Sequence, residues 1–343
     1  MQRDNYTIRI SAVAMVMAVL LRLGISTAPV WQDPRFLSFL VWLQTGRLVQ
    51  STAPAETTVP TAPTTFPAET VPMVPATRPS VLPSAPAPLV LPAVSMSDLG
   101  RIDVHYSCAL RPDMASLLLS PLQWDLADGT PRVLILHSHA TESYTPDGDD
   151  TYEPSGDYRT LDTSQNMVSI GAEVARILQE AGIGVIHDTA LHDYPSYNQA
   201  YASSRQAVQQ YLAEYPSICL VLDLHRDAAS TATGQLTTSA TVSGAAAAQL
   251  MPVVGTNYTG WNANLALALK LTALLEQTDP GVCRPLDLRG QRFNMDLSPA
   301  ALLIEVGAAG DTRQKALQAA GALARAICAM ARGVTTEMST SAG

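Results

Sequence analysis

The chain has 343 residues, a net charge of −9 at pH 7 and an isoelectric point near 5.1. This acidic balance argues against a nucleic-acid-binding protein, which carries a basic patch or stripe, and gives no support for electrostatic docking on an anionic membrane surface. The four cysteines include no CxxC pair, so no zinc site built from four thiolates is predicted.

The N-terminal segment, residues 1–29, predicts a membrane anchor. Ile8–Ile25 is almost wholly apolar and is interrupted by two arginines, and its length is near the short end of what spans a bilayer. Because Arg3 lies on the retained side, we predict a single-pass signal anchor at the cell membrane with the rest of the chain outside the cytoplasm. The alternative is a signal peptide cleaved after small residues near Ala28, which gives a secreted protein.

Composition changes twice before the folded part begins. Residues 30–50 are predicted to be a juxtamembrane segment, and residues 51–98, rich in Pro, Ala and Thr, to be a disordered linker. The remaining length suits one medium-sized domain. We predict a folded domain over residues 99–333 and a loose tail over 334–343.

Strands alternate with helices through most of this domain. The predicted strands are Arg132–Leu136, Ile183–His187, Ile218–His225, Leu236–Val242, Leu250–Val254 and Ala301–Glu305. The predicted helices are Ser164–Glu180, Tyr197–Tyr215, Asn262–Gln277 and Arg313–Ala331, with Thr163 or Ser164 as the cap of the first. Such alternation predicts an α/β fold, a mostly parallel sheet flanked by helices.

Three of these strands are followed or ended by side chains suited to catalysis. His139 and Glu142 follow the first strand, His225 ends the third, and Glu305 ends the last. Because parallel sheets bind ligands at the carboxyl ends of their strands, we expect the four side chains to converge. Two histidines and one carboxylate leave a fourth zinc position open for water, as in catalytic zinc sites, and Glu305 could then act as the base. Each residue taken alone also has an ordinary structural explanation, and the HxxE spacing occurs by chance.

Several segments, in the same order along the chain, resemble the stage II sporulation protein P family. They are His137–Tyr144 (HSHATESY), Arg159–Asn166 (RTLDTSQN), Leu222–Asp227 (LDLHRD), Met251–Asn257 (MPVVGTN), Asn294–Pro299 (NMDLSP) and Leu303–Gly307 (LIEVG). The resemblance extends from about Arg132 to Ile327.

The resemblance implies a fold like that of the zinc amidases and carboxypeptidases, in the phosphorylase/hydrolase-like group. It implies a zinc-dependent hydrolase of peptidoglycan that cleaves the amide between N-acetylmuramic acid and L-alanine, with endopeptidase activity on cross-links also credited to the family. It further implies a role in engulfment during sporulation, beside a lytic transglycosylase and a membrane partner. Two alternatives stay open: a zinc carboxypeptidase or endopeptidase acting on stem peptides, and a binding module without turnover that positions partner hydrolases.

Residue by residue, the resemblance assigns His139, Glu142 and His225 as metal ligands and Glu305 as the catalytic glutamate. The broader amidase family has its carboxylate ligand at the start of the first helix. This chain has Asp162 there, so Asp162 remains the alternative to Glu142.

Three neighbouring side chains complete the predicted site. His137 would face the same side of a strand as His139, where it supports a ligand or contacts substrate, and a purely structural role is equally open. Asp223 is predicted to hydrogen-bond the imidazole of His225. Arg226 is predicted to hold a carboxylate of the stem peptide, with an ion pair to a neighbouring aspartate as the alternative.

Overall fold

The structure is a computed structural model that describes residues 92–337, except 123, 149, 151, 153–156 and 233. The predicted anchor and juxtamembrane segment, and nearly all of the predicted linker, lie outside the described residues. In the part that is described, no helix is both long enough and apolar enough to cross a bilayer. By its internal contacts the chain divides into residues 1–82 and 83–343, and only the second unit contains described residues.

The described chain alternates helices and strands as expected. Its helices are α1 Met96–Leu99, α2 Met114–Leu118, α3 Met167–Glu180, α4 Ala200–Glu214, α5 Trp261–Thr278 and α6 Arg313–Ala329, with 3-10 turns at Tyr197–Gln199 and Met295–Leu297. Its strands are β1 Ala93–Ser95, β2 Val104–Ser107, β3 Pro131–Leu136, β4 Gly184–His187, β5 Leu220–Asp227, β6 Ser230–Thr231, β7 Gly234–Gln235, β8 Ala240–Val242, β9 Ala245–Ala247, β10 Leu250–Gly255, β11 Leu286–Arg289, β12 Ala301–Ala308 and β13 Thr335–Glu337.

Seven strands form the central sheet, in the order β2-β11-β10-β12-β5-β3-β4. Five of the six neighbouring pairs are parallel and only β10–β12 is antiparallel. The prediction of an α/β fold with a mostly parallel sheet is therefore confirmed. Because β3, β5 and β12 run in the same direction, their carboxyl ends lie at one edge of the sheet, where the predicted site residues are.

Helix α3 has a buried apolar face, which its sequence predicts, and a polar N-terminal cap. Met167, Ile170, Val174 and Leu178 are fully buried, and burying each such side chain stabilises the fold by about 1.5–3 kcal/mol. Asn166 caps the helix, and its side chain accepts a hydrogen bond from the backbone N–H of Val168.

The predicted cap of α3, Thr163 or Ser164, is therefore wrong. Asp162 Oδ1 accepts hydrogen bonds from the backbone N–H and the hydroxyl of Ser164, at 2.9 and 2.7 Å. Ser164 therefore belongs to a turn before the helix, which begins only at Met167.

The two faces of the sheet bury different groups. On β12, Ile304 belongs to the main apolar core, whereas Leu303 belongs to a small second cluster with Met251 and Val253. Successive strand residues point to opposite faces, so Glu305 shares the face of Leu303. His225 on β5 is in register with Glu305. The site therefore lies on the face of the small cluster.

The folded part extends beyond the predicted range of 99–333. Strand β1 pairs in parallel with β13, in a register that places Val94 opposite Thr336. Residues predicted to be linker and residues predicted to be a loose tail thus form one two-stranded sheet. Each of the two strands supplies hydrogen-bond partners for the backbone of the other. The composition of either segment alone does not indicate this pairing.

The predicted strand Leu236–Val242 is wrong in its first half, and only β8 forms. The backbone of that half is bonded to the turn after β12 instead, through Gly310 N–H to Leu236 O at 3.0 Å and Thr238 N–H to Asp311 Oδ1 at 2.9 Å. Strand β8 pairs with β9 in a short antiparallel hairpin, and Gly244 between the two strands has a φ of 82°.

Candidate metal centre

The structure brings together the three predicted ligands, His139, Glu142 and His225. One ligand atom from each lies within 4.8 Å of the others. Glu142 Oε1 is 3.7 Å from His139 Nδ1, and Glu142 Oε2 is 3.6 Å from His225 Nδ1. Tetrahedral zinc with bonds of about 2.0–2.1 Å separates its ligand atoms by roughly 3.4 Å. The donor set and its spacing therefore fit zinc.

A turn after β3 positions two of the three ligands. The backbone N–H of Glu142 donates to His139 O at 3.2 Å, which brings the carboxylate back towards the imidazole. Asp193 fixes this turn from outside, since it accepts the hydroxyl of Thr141 at 2.6 Å and also faces the Thr141 backbone N–H. The third ligand, His225, lies on β5 at the next position of the sheet.

Asp223 lies against His225, as predicted, but His225 Nε2 has no hydrogen-bond partner of acceptable geometry among the described residues. Asp223 Oδ1 lies 2.9 Å from His225 Nε2, and the carboxylate also accepts the backbone N–H and hydroxyl of Ser138. Burial lowers the pKa of His225, but Asp223 and Glu142 outweigh burial and hold that pKa well above its ordinary value. Nε2 lies beside Asp223 and Nδ1 faces Glu142, so Nδ1 is the atom that would bind a metal.

Glu305 is buried beside this cluster, on the strand next to His225. Its side chain is 8% exposed, and its Oε2 has no hydrogen-bond partner among the described residues. Burial raises the pKa of Glu305 to about 7, although His225 opposes the shift. A carboxyl group that titrates near neutral pH can both accept and donate a proton under working conditions.

Two side chains that sequence reasoning did not single out, Arg159 and Tyr197, form a bracket around the ligands. Arg159 Nη2 lies 3.3 Å from Glu142 Oε1, and its guanidinium lies 4.7 Å from the ring centre of Tyr197. The Tyr197 ring in turn stacks on His139 with centroids 4.7 Å apart. The bracket therefore connects both ligands of the turn. The only signal in the sequence was that Arg159 opens the RTLDTSQN segment.

Aromatic rings complete the wall of the site. Tyr201, at the start of α4, meets the ring of His139 edge-on at 5.4 Å and lies parallel to His225 at 6.4 Å. Phe293 packs against Tyr201 at 5.9 Å. Burial raises the pKa of Tyr201, so its phenol stays neutral and adds no charge to the cluster.

His137 is not part of the cluster. Strand β3 ends at Leu136, so the alternation that would place His137 on the same side as His139 no longer applies. His137 is fully buried, with Nδ1 3.0 Å from Leu224 O and Nε2 2.9 Å from His187 Nε2. Burial lowers the pKa of His137 to about 3. Of the roles left open for this residue, the structural one fits.

Arg226 is placed differently from both predictions. It is 2% exposed, and its guanidinium donates to the backbone carbonyls of Ser143, Asp157 and Tyr158 at 2.8–3.0 Å. Its Nη1 lies 3.6 Å from Glu142 Oε1. Among the described residues the side chain forms no ion pair with a neighbouring aspartate, and it holds a loop against a ligand rather than facing outwards.

Asp162 lies away from the three-residue cluster. It is exposed and occupied with the turn before α3. The geometry therefore favours Glu142 as the carboxylate ligand.

Residues 95–328 match the family described as Stage II sporulation protein P. The chain belongs to this family. It is also 28% identical over 203 residues to the stage II sporulation protein P of Bacillus subtilis (strain 168). That alignment covers 56% of this chain and 49% of the relative, so the chain spans about half the length of the relative it matches.

Solved structures of N-acetylmuramoyl-L-alanine amidases also resemble the chain. The amidase of Nostoc punctiforme is 18% identical, with 57% of this chain and 94% of that chain covered and a TM-score of 0.36. The amidase of Mycobacterium smegmatis is 11% identical, with 60% and 97% covered and a TM-score of 0.36. Likenesses at these identities and scores carry no argument about the activity of this member of the family.

Proposed function

We propose that the chain is a zinc-dependent cell-wall hydrolase that cleaves the amide between N-acetylmuramic acid and L-alanine in peptidoglycan. The observation that carries the proposal is the convergence of His139, Glu142 and His225 at the ends of two strands, with the buried carboxyl of Glu305 on the next strand. Membership of the stage II sporulation protein P family supports it.

The residues at the site have distinct tasks in this reaction. His139, Glu142 and His225 would hold a zinc ion, which would supply a water of lowered pKa and polarise the substrate carbonyl. Glu305 takes one proton from the attacking water and delivers it to the leaving nitrogen. The amide C–N bond breaks as the water oxygen bonds to the carbonyl carbon, which leaves a free carboxylic acid on the muramic acid and a free amine on L-alanine. Asp223 keeps His225 oriented throughout.

We also propose where this reaction takes place. The chain would act outside the cytoplasm during engulfment, on a single-pass anchor within residues 1–29, beside a lytic transglycosylase and a membrane partner. The family name and the apolar stretch Ile8–Ile25 support this. Secretion after signal cleavage is the alternative.

The products of a peptidoglycan digest test the reaction directly. The full chain is incubated with purified peptidoglycan, with and without a chelator and with zinc restored, and the soluble products are identified by mass. The expected products are stem peptides with a free L-alanine amine and glycan strands without peptides.

Other product patterns would contradict the amidase proposal. Shortened peptides on intact muramic acid would indicate a carboxypeptidase or endopeptidase. Binding to peptidoglycan without any product would indicate a binding module. Glu305→Gln at equal zinc content is the matched control, and it is expected to release peptide at a small fraction of the wild-type rate.

A further inference from the structure

A chain of buried hydroxyl groups leads away from the metal centre on the side of Asp223. Ser138 and Ser204 are fully buried, the first just after β3 and the second on α4. Their Oγ atoms are 2.8 Å apart, and Ser138 Oγ donates to Asp223 Oδ2 at 2.6 Å. Burying a hydroxyl group is unfavourable unless it is hydrogen-bonded, so each of the two serines depends on these contacts.

The direction of each hydrogen bond in this chain is fixed. A serine hydroxyl has one proton to donate, and the proton of Ser138 goes to Asp223, so Ser204 is the donor between the two serines. The oxygen of Ser204 accepts in turn from Asn294 Nδ2 at 3.2 Å. The other acceptor near Ser204 Oγ is the carbonyl of Tyr201, which is 3.4 Å away and already accepts from Asn294 Nδ2 at 2.8 Å. All the donors of the chain therefore point towards Asp223.

Asn294 lies in a turn that is anchored on α4. Its φ is 57°, in the left-handed region, which asparagine adopts more readily than most residues. Close by, the guanidinium of Arg205 donates to both oxygens of Asp296 at 2.8 Å, which fixes the turn to the helix. Left-handed residues other than glycine persist where the surrounding structure holds them, often at functional sites. The turn thus presents the Asn294 amide to the outer end of the chain of hydroxyl groups.

The inner end of the chain is a carboxylate whose orientation matters for a metal ligand. Asp223 Oδ1 lies 2.9 Å from His225 Nε2, but without the geometry of a hydrogen bond. Both oxygens of Asp223 accept from Ser138, Oδ1 from the backbone N–H and Oδ2 from the hydroxyl. Ser138 therefore sets the plane of the carboxylate that faces the imidazole of His225.

We propose that Ser138, Ser204 and Asn294 are positioning residues for the zinc ligand His225, each acting through the next; this rests on the zinc centre of the proposed function. Asn294 fixes the hydroxyl of Ser204, Ser204 fixes that of Ser138, and Ser138 fixes the carboxylate of Asp223. Asp223 then holds the imidazole with Nδ1 towards the metal. Helix α4 thus orients a ligand on β5 although it supplies no ligand itself.

A double-mutant cycle on zinc affinity tests this order. Competition with a chelating dye measures Kd for the wild type, Ser138→Ala, Ser204→Ala and the variant with both changes. We expect Kd to rise about 10- to 30-fold in Ser138→Ala and about 3- to 10-fold in Ser204→Ala, as loss of groups that orient ligands does. The double variant should match Ser138→Ala, because Ser204 has no path to Asp223 once the Ser138 hydroxyl is absent.

The matched control is Ser217→Ala. Ser217 lies just before β5, and its hydroxyl donates to the backbone carbonyl of Pro131, the first residue of β3, at 2.7 Å. This variant loses a hydroxyl bond at the ends of the same two strands that lie away from the site, and its Kd should change less than about twofold. Denaturant unfolding of the metal-free protein is expected to show a lower midpoint for both Ser204→Ala and Ser217→Ala, since each loses one hydrogen bond.

Two further measurements separate positioning from folding. Asn294→Gly removes the amide but keeps the left-handed backbone, which glycine adopts at no cost, and its Kd should rise about 2- to 5-fold. Co²⁺ in place of Zn²⁺ reports the geometry of its ligands through visible absorption. At saturating Co²⁺ the spectra of Ser138→Ala and Ser204→Ala should differ from that of the wild type, and the spectrum of Ser217→Ala should not.

Three results would overturn the proposal. One is a zinc Kd in Ser204→Ala no higher than that in Ser217→Ala. Another is a double variant in which the two losses multiply, since Ser204 would then act independently of Ser138. The third is a Co²⁺ spectrum that is the same in every variant. In these cases a wild type that binds zinc and releases peptide leaves the proposed function standing, whereas a wild type that binds no zinc overturns both proposals.

Discussion

Glu142 and Glu305 are both buried near His225, yet their surroundings move their pKa values in opposite directions. Burial raises the pKa of each, but His225 and Arg226 outweigh burial at Glu142 and lower its pKa to about 2. At Glu305 burial dominates and raises the pKa to about 7. A permanently ionised carboxylate suits a metal ligand, and one that changes its protonation near pH 7 suits an acid–base catalyst.

The bracket of Arg159 and Tyr197 predicts a graded effect on zinc affinity. Tyr197→Ala removes the ring that stacks on His139 and is expected to weaken zinc binding about 10-fold, as loss of groups that orient ligands does. Tyr197→Phe keeps the ring and should bind zinc as the wild type does. Competition with a chelating dye measures both. Equal losses in the two variants, or no loss in either, would contradict the role of stacking.

Glu305 also predicts a dependence of stability on pH in the metal-free protein. Its folded pKa, about 7, is above the ordinary value of 4.5, so the folded state binds more protons between these pH values and stability falls as pH rises through them. Glu305→Gln removes this cost. At pH 8 the variant should have a free energy of unfolding about 1–3 kcal/mol above that of the wild type.

This advantage of Glu305→Gln should shrink as the pH falls from 8 and disappear below about pH 4.5, where the wild-type carboxyl becomes protonated in both the folded and the unfolded state. Denaturant titrations of chelator-treated protein at several pH values measure the difference. A variant that is less stable than the wild type by the same amount at every pH would contradict the account, because it would mean that the carboxyl makes a packing or hydrogen-bond contribution instead.

At the scale of elements, the strands that lead to the candidate site were predictable, and two other strands of the central sheet, β2 and β11, were not. β5 and β12 are buried along almost their whole length, so their apolar runs stand out. β2 is a four-residue edge strand in which half-buried and exposed residues alternate, and two of its residues are polar. Its partner β11 also has four residues and includes the buried Asp287. About 180 residues separate the two partners, so neither signals the other locally.

The difference between buried strands and contacts distant in sequence also explains which parts of the site could be predicted. His139, His225 and Glu305 follow from the direction of their strands, because parallel strands deliver their ends to one edge. Arg159 and Tyr197 lie outside the strands, and their contacts depend on how two loops pack. The burial of Arg226 likewise depends on three loop carbonyls that no spacing in the sequence indicates.

At two glycines inside helices, substitution by alanine is expected to change the stability of the protein in opposite directions. A Cβ at Gly171 on α3 would lie 2.5 Å from both His137 Nε2 and His187 Nε2, so Gly171→Ala should destabilise the protein by about 2–4 kcal/mol. A Cβ at Gly321 on α6 meets Arg325 Nη1 at 3.2 Å, the end of a flexible side chain. Gly321→Ala should be neutral or stabilise by up to about 1 kcal/mol.

Thermal and denaturant unfolding of the two alanine variants measure this difference. Similar changes in both would contradict the packing of α3 on the His137–His187 pair.

At the scale of the whole molecule, the pairing of β1 with β13 ties the beginning of the described chain to its end. Val94 on β1 is fully buried. A fragment of residues 92–337 keeps this contact, and a fragment of 99–333 loses it together with α1. The shorter fragment should be less stable by about 2–4 kcal/mol. Equal midpoints of denaturant unfolding would mean that the terminal sheet adds nothing.

The central claim is that three ligands hold zinc while Glu305, which holds none, moves the proton. The most direct test is the initial rate of release of L-alanine-terminated peptide from peptidoglycan by the wild type and by Glu305→Gln, each with its zinc content determined. The account predicts equal zinc content and a rate lower by about 10²- to 10⁴-fold in the variant. A variant that keeps both its zinc and its rate would contradict the account.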